Sequence, residues 1–195
     1  MNKEKDRIPP GQKVVKEIPV MHEGDIPKID LDAFRFRIFG LVENEVKMNF
    51  MTFQALPRRE INADFHCVTK WTKLNVLWEG VPTKEILKLC NPEPSAKYVM
   101  ISSFGDYFTN LSIEDFLGND VLFALKLDNE LLKPQYGGPI RLVVPRLYAW
   151  KSAKWVRGVE FMAENKPGYW ESRGYHMRGD PWAEERYGDL NILNE

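Results

Sequence analysis

Residues 34–42, FRFRIFGLV, set Phe34, Phe36 and Ile38 against Arg35 and Arg37 before Gly40. A period of two predicts a strand with one buried face. MNFMTFQALP (48–57) predicts a short helix ended by Pro57, and INADFHCVTKW (61–71) returns to strand propensity. In LWEGVPTKEILKLC (77–90), Gly80 and Pro82 precede a helical pattern whose Val81, Ile86, Leu87 and Cys90 share a face. KYVMISSF (97–104) predicts a strand, and NLSIEDFLG (110–118) a helix capped by Ser112. VLFALKLDNELL (121–132) predicts a strand followed by an Asp128-Asn129 turn, and IRLVVP (140–145) a further strand. Strands and short helices alternate without βαβ regularity, so the pattern predicts an α+β fold. Residues 1–17 are polar with Pro9, Pro10 and Gly11, which predicts an extended arm ahead of a single domain over 18–195.

Composition narrows the function classes. Hydrophobic residues make up 44% and charged residues 28% of the 195 positions, the profile of a soluble globular chain. Lys and Arg total 27 against 28 Asp and Glu, so no global field draws in nucleic acid or an anionic membrane. No apolar run reaches the length of a signal core or a membrane span, which predicts a cytoplasmic protein without membrane insertion. Cys67 and Cys90 are then expected as free thiols.

Candidate chemistry starts at DFHCVTKW (64–71). Two cysteines and three histidines (His22, His66, His176) without paired spacing make a structural zinc site improbable. His66 adjoins Cys67, yet successive strand side chains point to opposite faces, so His66 is a poor base for a Cys67 nucleophile. From these residues alone Cys67 is an inert buried thiol or a functional one. Farther along, YGGPIRLVVPRLYAWKSAKW (136–155) puts a Gly-Gly-Pro turn before a strand and then gathers Arg141, Arg146, Lys151, Ser152 and Lys154 among aromatics. Such a group can hold a phosphate through charge-assisted hydrogen bonds, or be a solvated basic loop.

HCVTKW, LWEGVPTKEIL and YGGPIRLVVPRLYAWKSAKWVRGVEF together resemble the molybdopterin-binding domain of the sulfite oxidase family. The closer likeness is to small prokaryotic members and to the protein-methionine-sulfoxide reductase catalytic subunit, and it runs from about residue 18 onward, including GYWESRGYHMRGDPW (168–182). The resemblance implies a sulfite-oxidase-type α+β domain with mixed sheets, Mo-molybdopterin as cofactor, and two-electron oxygen-atom transfer on a small substrate. Cys67 is implied as the metal ligand, and a soft thiolate suits an electron-rich metal–sulfur centre. Lys151, Ser152, the Ala153 backbone N–H and Lys154 are implied as the phosphate clamp, with Arg141, Ser102, Tyr136 and His22 also reaching the cofactor. Lys70, Trp71 and Arg146 are expected near the substrate mouth, and Cys90, Trp78 and Trp155 as core or cofactor-pocket packing.

The chain departs from that pattern in ways that bear on substrate. True sulfite oxidases carry Asn-Arg-Arg after the ligand cysteine, where this chain has Val-Thr-Lys-Trp. They also have a tyrosine in place of Leu125 and a histidine in place of Tyr136. The expected substrate is therefore an S-oxide or N-oxide rather than sulfite. Electrons are expected to pass through a separate protein. The competing reading is a non-catalytic pterin-binding or structural domain.

Overall fold

Burial alternates along residues 36–40, 71–82 and 98–103, and the inward side chains of these stretches enter the core. The structure, a computed structural model, describes residues 5–188. In chain order the elements are β1 (Lys13–Val14), β2 (Phe36–Gly40), β3 (Val46–Met48), α1 (Phe50–Gln54), β4 (Arg59–Cys67), β5 (Trp71–Pro82) and α2 (Thr83–Cys90). They continue with β6 (Tyr98–Ser103), β7 (Phe108–Ser112), α3 (Ile113–Phe116), β8 (Leu122–Leu127), β9 (Glu130–Leu131), β10 (Arg141–Val143) and β11 (Val156–Met162). The α+β expectation holds, with two mixed sheets and few short helices.

The first sheet is built on β5. Antiparallel β4 pairs with β5 from Arg59↔Gly80 to Cys67↔Trp71, while β1 pairs in parallel at Trp71 and Thr72, and β8 pairs at the far end from Trp78 to Pro82. Strands β10 and β9 then join β8. Close approach decides one residue here, because a Cβ on Gly80 would lie 2.0 Å from the Phe123 carbonyl oxygen. The second sheet runs β3-β2-β11-β6-β7, with β11 parallel to β2 and antiparallel to β6.

The alternation predicted for 34–42 is observed, since Phe34, Phe36 and Ile38 are buried while Arg35 and Arg37 face out. Phe36 meets Phe53 of α1 and Phe123 of β8, so the main core is shared between both sheets. Ser112 caps α3 by accepting a hydrogen bond from the Asp115 N–H, a contact type worth about 1 kcal/mol. Asn49 caps α1 in the same way through Thr52.

The arm is not free. After a 3-10 turn (Lys5–Arg7), Arg7 pairs with Asp64 at 2.5 Å, β1 adds to β5, and Gln12 Nε2 donates to the Cys67 carbonyl at 3.0 Å. At the other end, residues 163–188 run back over the end of the first sheet, where Arg186 donates to the Val68 carbonyl. Both ends of the described chain thus fasten onto the β4–β5 hairpin. Among the described residues no helix is long and apolar enough to cross a membrane.

Candidate cofactor site

Strand β4 ends at the site. Phe65 and Cys67, two residues apart, line a cavity of about 360 Å³, while His66 between them faces the other way and bonds Thr72 Oγ1 at 2.9 Å. This agrees with the period-two argument. Cys67 is mostly buried, and its sulfur accepts a hydrogen bond from Thr69 Oγ1 at 3.2 Å. The tight turn 68–70 follows, with Lys70 in the left-handed region at φ 71° and its N–H on the Cys67 carbonyl.

Arg141 comes from the start of β10 and lines the same cavity, 4% exposed. One of its Nη atoms donates to the Tyr136 carbonyl at 2.9 Å, and its guanidinium lies 4.9 Å from the Phe65 ring centroid and 5.6 Å from that of Trp78. Among the described residues its buried Nε has no partner, nor does the indole N–H of Trp71 on the cavity wall. Burial pulls the Arg141 guanidinium down to about 10, and the charge of Cys67 opposes that fall.

The 3-10 turn Ala149–Lys151 and the residues after it form the next wall. Ser152, Ala153, Lys154 and Trp155 all line the cavity. Ser152 Oγ accepts from the Val144 N–H at 2.9 Å, and among the described residues the Ala153 N–H has no acceptor. Lys154 Nζ donates to the carbonyls of Met21 and Gln135, both at 2.6 Å. Burial, reinforced by the charge of Arg141, lowers Lys154 to about 7. His22 stands at the mouth, its Nδ1 2.8 Å from the Gly24 carbonyl oxygen.

Five expected site residues lie elsewhere, each for a physical reason. Lys151 is fully buried on the opposite side of its turn, where Nζ meets Glu171 Oε1 at 2.5 Å, Asn110 Oδ1 at 2.8 Å and the Met177 carbonyl at 2.7 Å. Burial pushes its pKa down and the Glu171 carboxylate opposes this, so the ammonium serves an internal network and does not line the cavity. Ser102 sits in β6 of the second sheet, bonded to the Gly158 carbonyl at 3.4 Å. Tyr136 lines a different cavity and reaches the site only through the carbonyl that holds Arg141. Arg146 is exposed beside Asp120 at 3.5 Å, and Lys70 points into solvent from its turn.

The sequence reading also missed walls. Tyr107, Trp150, Trp170 and Tyr175 line the cavity, with Tyr107 donating its hydroxyl to the Trp150 carbonyl. Loops deliver most of these rings, and no periodicity marks them. Burial, then the charge of Glu171, holds the Tyr107 hydroxyl well above the usual tyrosine range.

The donor set fits a molybdopterin. It combines one thiol, the buried Arg141, the half-buried Lys154, a hydroxyl and N–H groups that lack partners among the described residues, all in one cavity. Among the described residues no group of three or more His, Cys, Asp or Glu could hold a metal ion, so a metal at Cys67 would take its other ligands from outside the protein.

Residues 23–170 match the family described as oxidoreductase molybdopterin binding domain, and the chain belongs to that family. It is an oxidoreductase of the sulfite oxidase type with Mo-molybdopterin as cofactor. It is 42% identical over 182 residues to an uncharacterized oxidoreductase, YuiH, of Bacillus subtilis, covering 93% of this chain and 92% of that one. The protein-methionine-sulfoxide reductase catalytic subunit MsrP of Campylobacter jejuni is 28% identical, over 71% of this chain and 52% of its own length. Among solved structures, the sulfane dehydrogenase SoxCD of Paracoccus pantotrophus shares the fold with a TM-score of 0.66 at 20% identity, over 84% of this chain and 53% of that one.

Proposed function

We propose that the protein transfers an oxygen atom to or from a small neutral substrate, an S-oxide or N-oxide, at a molybdenum held by Cys67. The observation that carries this is Cys67 in the wall of a cavity whose cations, Arg141 and Lys154, are buried and half-buried, while its outer residues include Met21, His22, Glu23 and Thr69, among which there is no Lys or Arg. An anion such as sulfite would need cations at the mouth, and Arg146 and Lys70 do not face it. The name of the Campylobacter jejuni relative, a protein-methionine-sulfoxide reductase, supports an S-oxide.

When bound, the molybdopterin supplies the two-electron redox change. Cys67 holds the metal end, on a strand end pinned through its carbonyl by Gln12 and by the Lys70 N–H. Arg141 and the Ala153 N–H offer donors to the pterin, and Lys154 with Ser152 takes the phosphate. The aromatic rings around them exclude water and strengthen these contacts. His22 closes the outer edge near the Trp155 ring, 6.1 Å between centroids. Electrons reach this site from a separate protein. A cytoplasmic location belongs to the same reading, which the unpaired Cys67 and Cys90 support and cell fractionation tests.

The experiment is metal analysis of wild type and Cys67→Ala, followed by S-oxide and N-oxide reduction with an artificial reductant. Near-stoichiometric molybdenum and turnover in wild type, with turnover abolished in Cys67→Ala, is expected. Undiminished turnover in that variant would remove Cys67 as the ligand.

A further inference from the structure

Cys67 is not the last polar group at its end of the cavity. Thr69, two residues on, also lines the wall and donates its hydroxyl to Cys67 Sγ at 3.2 Å. The other acceptor within reach is Met21 Sδ at 3.8 Å, a weaker partner at a longer distance.

The aim of this hydroxyl is fixed by the backbone on either side. The Cys67 carbonyl accepts from Gln12 Nε2 and from the Lys70 N–H, both at 3.0 Å. The Val68 carbonyl accepts from Arg186. Three segments distant in sequence, the arm, the hairpin turn and the C-terminal stretch, therefore set where the Thr69 side chain stands relative to the sulfur. Thr69 itself is exposed and carries no part of the core, so among the described residues the shorter contact its hydroxyl makes is the one to Cys67.

A hydrogen bond to a thiolate draws electron density off the sulfur and weakens its donation to a metal. The electron-rich, reduced state of the metal gains most from that loss, and so the reduction potential rises, as it does where sulfurs of other metal centres accept hydrogen bonds. We infer that Thr69 is a positioning residue that acts through Cys67, orienting its sulfur and raising the reduction potential of the bound molybdenum. This rests on Cys67 being the ligand.

The test uses holoenzyme, with values read per molybdenum bound so that partial loading does not enter. Thr69→Val keeps the shape and removes the hydroxyl, and Thr69→Ser keeps the hydroxyl. A hydrogen bond to a charged group corresponds to roughly a tenfold change in an equilibrium. The midpoint of the molybdenum one-electron couple is thus expected to fall by about 59 mV in Thr69→Val, the tenfold equivalent for one electron. The thiolate-to-metal absorption band should shift with it, and Thr69→Ser should restore both. An unchanged potential in Thr69→Val, or a Thr69→Ser variant that shifts as far as the valine, overturns the inference. Cys67→Ala separates the two layers. Metal content and spectrum unchanged in Cys67→Ala remove the ligand and the hydrogen-bond role together. A changed spectrum there beside an unchanged one in Thr69→Val removes the role of Thr69 alone.

Discussion

Burial and the charge of Arg141 both disfavour the ammonium form of Lys154, which brings its pKa from 10.5 to about 7. Its folded value is below its unfolded one, so between these values the unfolded chain holds the extra proton. This group's contribution to stability therefore grows as pH rises through 7, and below 7 the charged form is held at a cost. A bound phosphate reverses the preference, because it selects the protonated lysine. Above pH 7 binding must take up a proton, and affinity falls toward a limit of about tenfold per pH unit. Calorimetric titration of the cofactor-free protein with inorganic phosphate from pH 7 to 9 should show this decline, and Lys154→Met should flatten it. The same slope in Lys154→Met would remove Lys154 from the phosphate site. Residues of this kind were legible in the sequence because Arg141, Ser152 and Lys154 sit within one stretch. Lys151 was not, since its partner Glu171 lies in a segment that no local pattern ties to it.

At the scale of elements, the pair Lys151–Glu171 joins the 3-10 turn Ala149–Lys151 to the 3-10 turn Glu171–Arg173, and both side chains are fully buried. Glu171 also accepts from the Trp150 indole at 2.8 Å and from Thr109 at 3.2 Å. Removing the carboxylate strands a buried ammonium, a loss of about 3–5 kcal/mol. Glu171→Leu should fall by that amount in chemical denaturation, while Lys151→Met combined with Glu171→Leu should recover most of it. A single-variant loss below about 1 kcal/mol would mean that water replaces the partner. Elements marked by alternation, a helical face, a cap or an apolar run before a turn, such as β2, α2, α3 and β8, could be read in advance. Strand β11 could not, although it is central to the second sheet, because Arg157, Gly158 and Glu160 break its apolar pattern. Pairing on both edges, with β2 and β6, makes it a strand. β1 is two exposed residues recruited only by the edge of β5, and the arm reading could not foresee that docking.

For the whole molecule, the cavity is where the sheets and the N- and C-terminal stretches of the described chain meet. Its walls include Ile18 after the arm, Cys67 and Arg141 from the first sheet, Tyr107 ahead of β7, and Tyr175 from the C-terminal stretch. A ligand gripping several of these binds only the folded chain, and so it stabilises by mass action. At a hundredfold excess over Kd the gain is about 2.7 kcal/mol. At roughly 2–4 °C per kcal/mol for a chain of this size, the loaded protein should melt about 5–11 °C above protein made without the cofactor. Differential scanning calorimetry of the two preparations checks this. On the proposed assignment, Cys67 at the metal end and Lys154 at the phosphate end belong to different segments, so the two ends of the ligand would contribute separately. Cys67→Ala loaded with cofactor should then keep part of the shift and Lys154→Met another part. A cofactor that leaves the melting temperature unchanged in wild type would mean that it does not bind the folded chain in preference to the unfolded one, and would remove this junction as its site.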